Sequence, residues 1–143
     1  MKPLLLGIYG KSNSGKTSLM TELISYLKKN NKKIACIKIS DKEINIDEKG
    51  KDTWKYAEFG SDLIVFKSKK ETDFIIKQNL KIEKIIEIIG TYFDYDLILI
   101  EGARGKSIQK IRIGDIEKRE NTVLDYKGDF ESLIKMFDRY MEV

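Results

Sequence analysis

The stretch that decides the fold runs from residue 4 to residue 19, LLLGIYGKSNSGKTSL. It starts as the short apolar run Leu4 to Tyr9, which reads as a fully buried parallel strand. From Gly15 the spacing turns helical: Leu19, Leu23 and Leu27, with Met20 and Ile24, make one stripe against Thr21, Glu22, Ser25 and Lys28. Between strand and helix lie Gly10, four residues, then Gly15, Lys16 and Thr17. That strand–loop–helix setting is what a Walker A phosphate loop requires. Gly10 and Gly15 let the backbone approach an anion closely. The amides of Lys11, Ser12, Asn13, Ser14 and Gly15, continued by Lys16, Thr17 and Ser18 at the helix start, form an anion nest. Lys16 brings a charge to the β and γ phosphates, and the Thr17 hydroxyl is a ligand for Mg²⁺.

Outward from this loop the pattern repeats. KKIACIKI (32–39) gives a second strand, and SDKEINIDEKGKD (40–52) is polar and irregular. A helix is expected from Asp52 to Phe59, stopped by Gly60. DLIVFKS (62–68) and TDFIIKQ (72–78) read as strands, the second weaker and suited to a hairpin with the first. Ile82, Ile85, Ile86, Ile89 and Phe93 recur at helical spacing. YDLILIEG (95–102) is a buried strand ending in Glu101 and Gly102. IQKIRI and NTVLDY are expected strands flanking the charged turn GDIEKRE (114–120), before a closing amphipathic helix through Phe130, Leu133, Ile134, Phe137 and Met141. Strands alternating with helices predict an α/β fold, a mainly parallel twisted sheet flanked by helices, of the P-loop NTPase type. With no linker, repeat or low-complexity tract, residues 1–143 are expected to form a single nucleotide-binding domain without an appended one.

Composition narrows the function. The 143 residues are 41% hydrophobic and 35% charged, as in a globular protein with a charged surface. There is no histidine, which removes imidazole bases and His-ligated zinc. The one cysteine, Cys36, lies in an apolar run and is expected to be a small core residue. The net charge of +4 comes from interleaved Lys and Glu, and apart from KSKK (67–70) no basic cluster suggests nucleic acid. No run approaches the ~18 apolar residues of a membrane span, and MKPLLLGIY is short for a signal peptide. A cytoplasmic location is the expectation.

Two further candidates follow from position. Glu101, at the tip of a buried strand, matches the Walker B place, where an acid holds magnesium or orients water. Asp47 and Asp52, in the loop after the second strand, are candidate metal or switch residues. Arg104 and Arg112 are candidates for a charge-stabilising arginine.

With these pieces in order, the sequence resembles the MobB family of molybdenum cofactor biosynthesis. The landmarks are YGKSNSGKTSL (9–19), IKISDKEINIDEKGKDTWKYAEFG (37–60), YDLILIEGARG (95–105) and QKIRI (109–113), the Gly50-Lys51-Asp52-Thr53 block being the most specific. The resemblance implies GTP binding with slow hydrolysis, a homodimer, and association with the guanylyltransferase that attaches GMP to molybdopterin, or with a related molybdo- or tungsto-enzyme maturation protein. It assigns phosphate and metal contacts to Gly10, Gly15, Lys16 and Thr17, and magnesium-side acids to Asp47 and Glu101. The chain departs from the family at Ile39, Asp41 and Lys42, where a histidine cluster is usual, at Ala103 and Arg104, and at Asn13 in place of a glycine. Lys11 stands where related dimeric ATPases place a lysine that reaches the partner's nucleotide. No Asn-Lys-X-Asp or Thr-Lys-X-Asp motif is present, so GTP over ATP rests on the resemblance. The alternatives are a small-molecule kinase and a binding module gated by nucleotide without catalysis.

Overall fold

The protein is described here from a computed structural model covering residues 2–141, with the side chains of Tyr140 and Met141 left aside. The elements are β1 (Leu4–Gly10), α1 (Lys16–Lys29), β2 (Ile34–Lys38), α2 (Asp52–Glu58), β3 (Leu63–Lys67), β4 (Thr72–Ile76), α3 (Ile82–Tyr92), β5 (Leu97–Glu101), β6 (Lys110–Ile113), β7 (Thr122–Tyr126) and α4 (Phe130–Met141). They divide into two compact units, one of residues 1–40 and 87–143 and one of residues 41–86.

The first unit is built on a five-stranded sheet in the order β2-β5-β1-β6-β7, with every neighbouring pair parallel. The fold is therefore the α/β P-loop type that the alternation of elements predicts. Strand periodicity sorts its side chains into two faces. On one face Leu6, Ile8, Leu97, Leu99, Ile111 and Ile113 pack with Leu19, Met20, Leu23 and Leu27 of α1 and Leu133 and Phe137 of α4 as one buried core. The apolar stripe of α1 fits here because its i, i+4 leucines share a side.

The opposite face over β1 and β6 is covered differently. Parallel strands are usually joined by a crossover of about a dozen or more residues, most often a helix. Here β5 reaches β6 through residues 102–109 and β6 reaches β7 through 114–121, neither containing a helix. The charged segment GDIEKRE thus serves as a crossover between parallel strands. Both connections are fastened by Lys110, which is 0% exposed. Its ammonium donates to the carbonyls of Gly105, Ile108 (2.6 Å) and Glu120 (2.7 Å). Burial pulls its pKa below the ordinary lysine value. Gly7 lies beneath the first connection, where a Cβ would come within 2.6 Å of the Ala103 methyl.

Cys36 corrects the expectation of a core thiol, for it is exposed. The reason is topological: β2 is the sheet's edge, and the helix-packed core centres on the strands inside it. An apolar run tells that a strand forms, and gives no sign of its place in the sheet.

The second unit holds α2 and an antiparallel pair, β3 with β4, in the register Leu63↔Ile76, Val65↔Phe74 and Lys67↔Thr72. The expected hairpin is formed, as a two-stranded sheet of its own. Ile64 is buried, whereas Leu63, Val65, Phe74 and Ile76, which share the other face, are exposed.

Candidate functional site

The loop from Gly10 to Thr17 leaves the carboxyl end of β1 and enters α1, the edge of a parallel sheet where ligands gather. Its backbone is shaped for close approach. At Gly10 a Cβ would meet the Ile113 carbonyl at 2.4 Å and the Ser14 hydroxyl at 2.8 Å. Gly15 has φ +97°, in the left-handed region. Asn13 has φ +62°, which explains how this chain does without the usual glycine, since Asn is among the residues that best tolerate that conformation. The Ser14 amide donates to the Lys11 carbonyl at 3.2 Å, closing the turn.

The start of α1 is open to an anion. Gly15 is its N-cap, no side chain caps it, and no acidic residue lies in its first turn. Those unsatisfied amides carry the positive end of the helix dipole. Lys16 folds back so that its ammonium donates to the Gly10 carbonyl at 2.8 Å, holding the charge over the loop. The Ser14 hydroxyl is buried and makes no hydrogen bond among the described residues. A buried polar atom left unpaired in this way fits a loop that completes its bonding with a ligand. Lys11, Ser12, Asn13, Thr17 and Ser18 are exposed around the same loop.

Glu101 ends β5, the neighbour of β1, in register with Ile8. It lies on the sheet face that carries Ile8 and α1, its side chain is 16% exposed, and Lys38 approaches it at 4.0 Å. Lys38 is a site neighbour that sequence reasoning missed; the signal was its position at the end of β2, level with Glu101. An ion pair this long with an exposed lysine is weak, so the carboxylate remains available to a cation. Among the described residues no cluster of three or more Asp, Glu, Cys or His could hold a metal alone. Magnesium keeps several waters and takes phosphate oxygens with one or two protein ligands. Thr17 and Glu101 are the residues of the first unit suited to that part.

Asp47 and Asp52 belong to the second unit. There Asp47 accepts the Glu48 amide at 2.9 Å, and Asp52 opens α2.

Of the two candidate arginines, Arg112 is engaged across β6 and β7. The chain reverses at Gly102 (φ +87°), whose amide bonds the Ile8 carbonyl at 2.8 Å, and Ala103 then packs over Gly7. Arg104 therefore follows a turn that leads away from the α1 face. Arg112 bonds Asp125 at 2.7 Å and the Ile116 carbonyl at 2.9 Å.

Comparison with known proteins identifies the family. Residues 5–135 match the family model MobB, Molybdopterin guanine dinucleotide synthesis protein B. A Haemophilus influenzae molybdopterin-guanine dinucleotide biosynthesis adapter protein is 32% identical over 110 residues, spanning 75% of this chain and 61% of that protein. A Methanocaldococcus jannaschii protein, named as a candidate adapter of the same biosynthesis, is 30% identical over 112 residues, spanning 78% of this chain and 45% of its own length. The chain thus spans roughly half the length of these two relatives. Among solved structures, Bacillus subtilis MobB superposes with a TM-score of 0.78 at 18% identity, over 95% of this chain and 97% of that one. That likeness shows the fold.

Proposed function

The chain belongs to the MobB family, and on that premise we propose that it is a magnesium-dependent GTP-binding adapter of molybdopterin guanine dinucleotide biosynthesis, with weak GTPase activity. The observation that carries this reading is the open start of α1, uncapped and ringed by the Gly10–Thr17 loop with Lys16 held over it. In this reading Gly10, Lys11, Ser12, Asn13, Ser14, Gly15, Lys16, Thr17 and Ser18 bind the phosphates. Thr17 and Glu101 attend the Mg²⁺, with Lys16 on the β and γ phosphates and Glu101 holding the metal through water or orienting the attacking water. Residues 1–143 work as one nucleotide-binding domain, as a homodimer, beside a molybdopterin guanylyltransferase or a related maturation protein.

Hydrolysis is slow in this proposal because the groups supporting it bind and orient without neutralising the charge that develops in phosphoryl transfer. Arg112 is engaged by Asp125, and Arg104 lies past the reversal at Gly102. The same observation favours a second reading, in which bound nucleotide sets affinity for the partner and hydrolysis is dispensable.

Calorimetric titration with Mg·GTP tests the binding, with sedimentation in the same samples reporting self-association. Saturable uptake is expected, with Lys16→Ala weakening it ~10–100-fold, the scale of hydrogen bonds to a charged group. A folded protein that takes up no nucleotide ends the proposal.

A further inference from the structure

We propose that Arg119 is a positioning residue of the nucleotide site: from the far face of the sheet it fixes the turn that follows Glu101 against the strand that enters the phosphate loop. This rests on the phosphate-site reading above and adds to it a residue outside the loop, on the other side of the sheet.

The need for such a residue lies in where the sheet stops joining the two halves of the site. β1 and β5 pair from Leu4↔Leu97 to Ile8↔Glu101, and the Gly102 amide adds a bond to the Ile8 carbonyl. Past that point the chains part. Tyr9 and Gly10 continue beside β6, as Tyr9↔Arg112 and Gly10↔Ile113. Gly102 (φ +87°) turns the other chain so that Ala103 packs over Gly7. The β1–β5 ladder therefore does not set the spacing between the start of the loop and the turn behind Glu101.

Arg119 spans that gap. Side chains alternate along a strand, so Tyr9 lies on the face away from Ile8 and α1. Tyr9 is 1% exposed, and the Arg119 guanidinium carbon sits 4.6 Å from its ring centroid. The same guanidinium donates through Nη1 to the Ala103 carbonyl at 3.0 Å. The Arg119 amide donates to the Tyr9 hydroxyl at 2.9 Å, and that hydroxyl pairs with Thr122 Oγ1 at 2.6 Å. Thr122 in turn donates to the Arg119 carbonyl at 2.6 Å, so the bridging residue is itself anchored. One residue thus holds Tyr9, which adjoins Gly10, and Ala103, which closely follows Glu101.

Arginine suits this place because its planar fork can lie on a ring and aim an N–H in a fixed direction at the same time. Groups behind a metal ligand orient it, and their loss weakens metal binding although the ligand itself is intact. The consequence here is specific. The contribution of Arg119 appears when Mg²⁺ is present and Glu101 can hold it, whereas the loop meets the phosphates with or without the metal.

The test is calorimetric titration of the full chain with GDP, in Mg²⁺ and in EDTA, for the native protein, Arg119→Met, Glu101→Gln and the double variant, with circular dichroism confirming the fold. Methionine keeps an unbranched stem and the backbone amide that bonds Tyr9, and removes the guanidinium. Arg119→Met should weaken Mg·GDP ~10-fold, the low end of the loss when a group behind a metal ligand is removed, and leave GDP in EDTA within about twofold. Beside Glu101→Gln it should cost no more than about twofold, since residues that act through one another are not additive. Arg119→Lys, which keeps a cation for the ring and loses the fork, runs the same cycle should the methionine variant not fold, with a loss of ~3-fold that again needs Mg²⁺ and Glu101. Native affinity for Mg·GDP in the Arg119 variant, an equal loss in EDTA, or a loss that persists in full beside Glu101→Gln overturns the positioning role and leaves the phosphate site standing. No uptake of Mg·GDP by the native protein overturns both.

Discussion

In the first unit Leu23, Leu27, Leu99 and Ile111 are wholly buried between a parallel sheet and its helices. In the second, Ile64 is the one large apolar side chain, among the described residues, that is buried. Phe59 there is 93% exposed, and Leu63, Val65, Phe74 and Ile76 line an open hairpin face. The two units draw on similar residues and differ in how many layers the chain supplies. A sheet with helices packed on it excludes water from its inner face, whereas a two-stranded hairpin has too little surface to do so and is marginal alone. Stability should therefore reside in the first unit.

The largest expected effect tests that division directly. Leu99→Ala should cost about 3–5 kcal/mol, the transfer term plus the cavity it leaves in a packed core. Val65→Ala, on the exposed hairpin face, should stay within about 0.5 kcal/mol. Chemical denaturation of both variants compares the units on one scale. If Val65→Ala costs as much as Leu99→Ala, the second unit's open face is covered in solution and the contrast fails.

A smaller effect sharpens the contrast inside the first unit. Its helix-covered face is secured by leucines, and its loop-covered face by the Lys110 ammonium on three carbonyls. Lys110→Met keeps the length and leaves those acceptors unpaired, at an expected cost of about 2–3 kcal/mol. The pH dependence has a definite sign. Burial depresses the pKa of Lys110, so between its folded and unfolded values the native state binds fewer protons than the unfolded chain. Stability should accordingly gain an increment as pH rises through the folded pKa toward the ordinary value near ~10.4, and Lys110→Met should lack that increment. Denaturation midpoints measured from neutral to alkaline pH check both.

These contrasts also mark what the sequence discloses. The course of the loop from Gly10 to Thr17, between β1 and α1, was legible because it is local: the glycine spacing and the switch to a helical stripe are set by neighbours along the chain. The hairpin was legible from two short β-rich runs. Cys36 was misjudged because an apolar run does not reveal an edge strand. The burial of Lys110 was invisible because its partners, from Gly105 to Glu120, meet only once two crossovers fold over the sheet. The reversal of the chain at Gly102, just before Arg104, was equally hidden, because it depends on the pairing of that amide with β1.

The smallest effect lies where the first unit's protection ends. Arg112 and Asp125 pair across β6 and β7 at 2.7 Å, yet Asp125 is exposed on the edge strand. The hydrogen bond from Arg112 is the main cause of its lowered pKa. The native carboxyl thus releases its proton more readily than the unfolded one, and the pair's contribution is present above the unfolded value of ~3.9 and fades as pH falls through the folded value. Carboxyl NMR should find Asp125 titrating below the ordinary aspartate range, with Arg112→Ala returning it toward that range. An unshifted Asp125 in the native protein would mean that water separates the pair. The first unit's rim would then be as solvated as the hairpin face of the second.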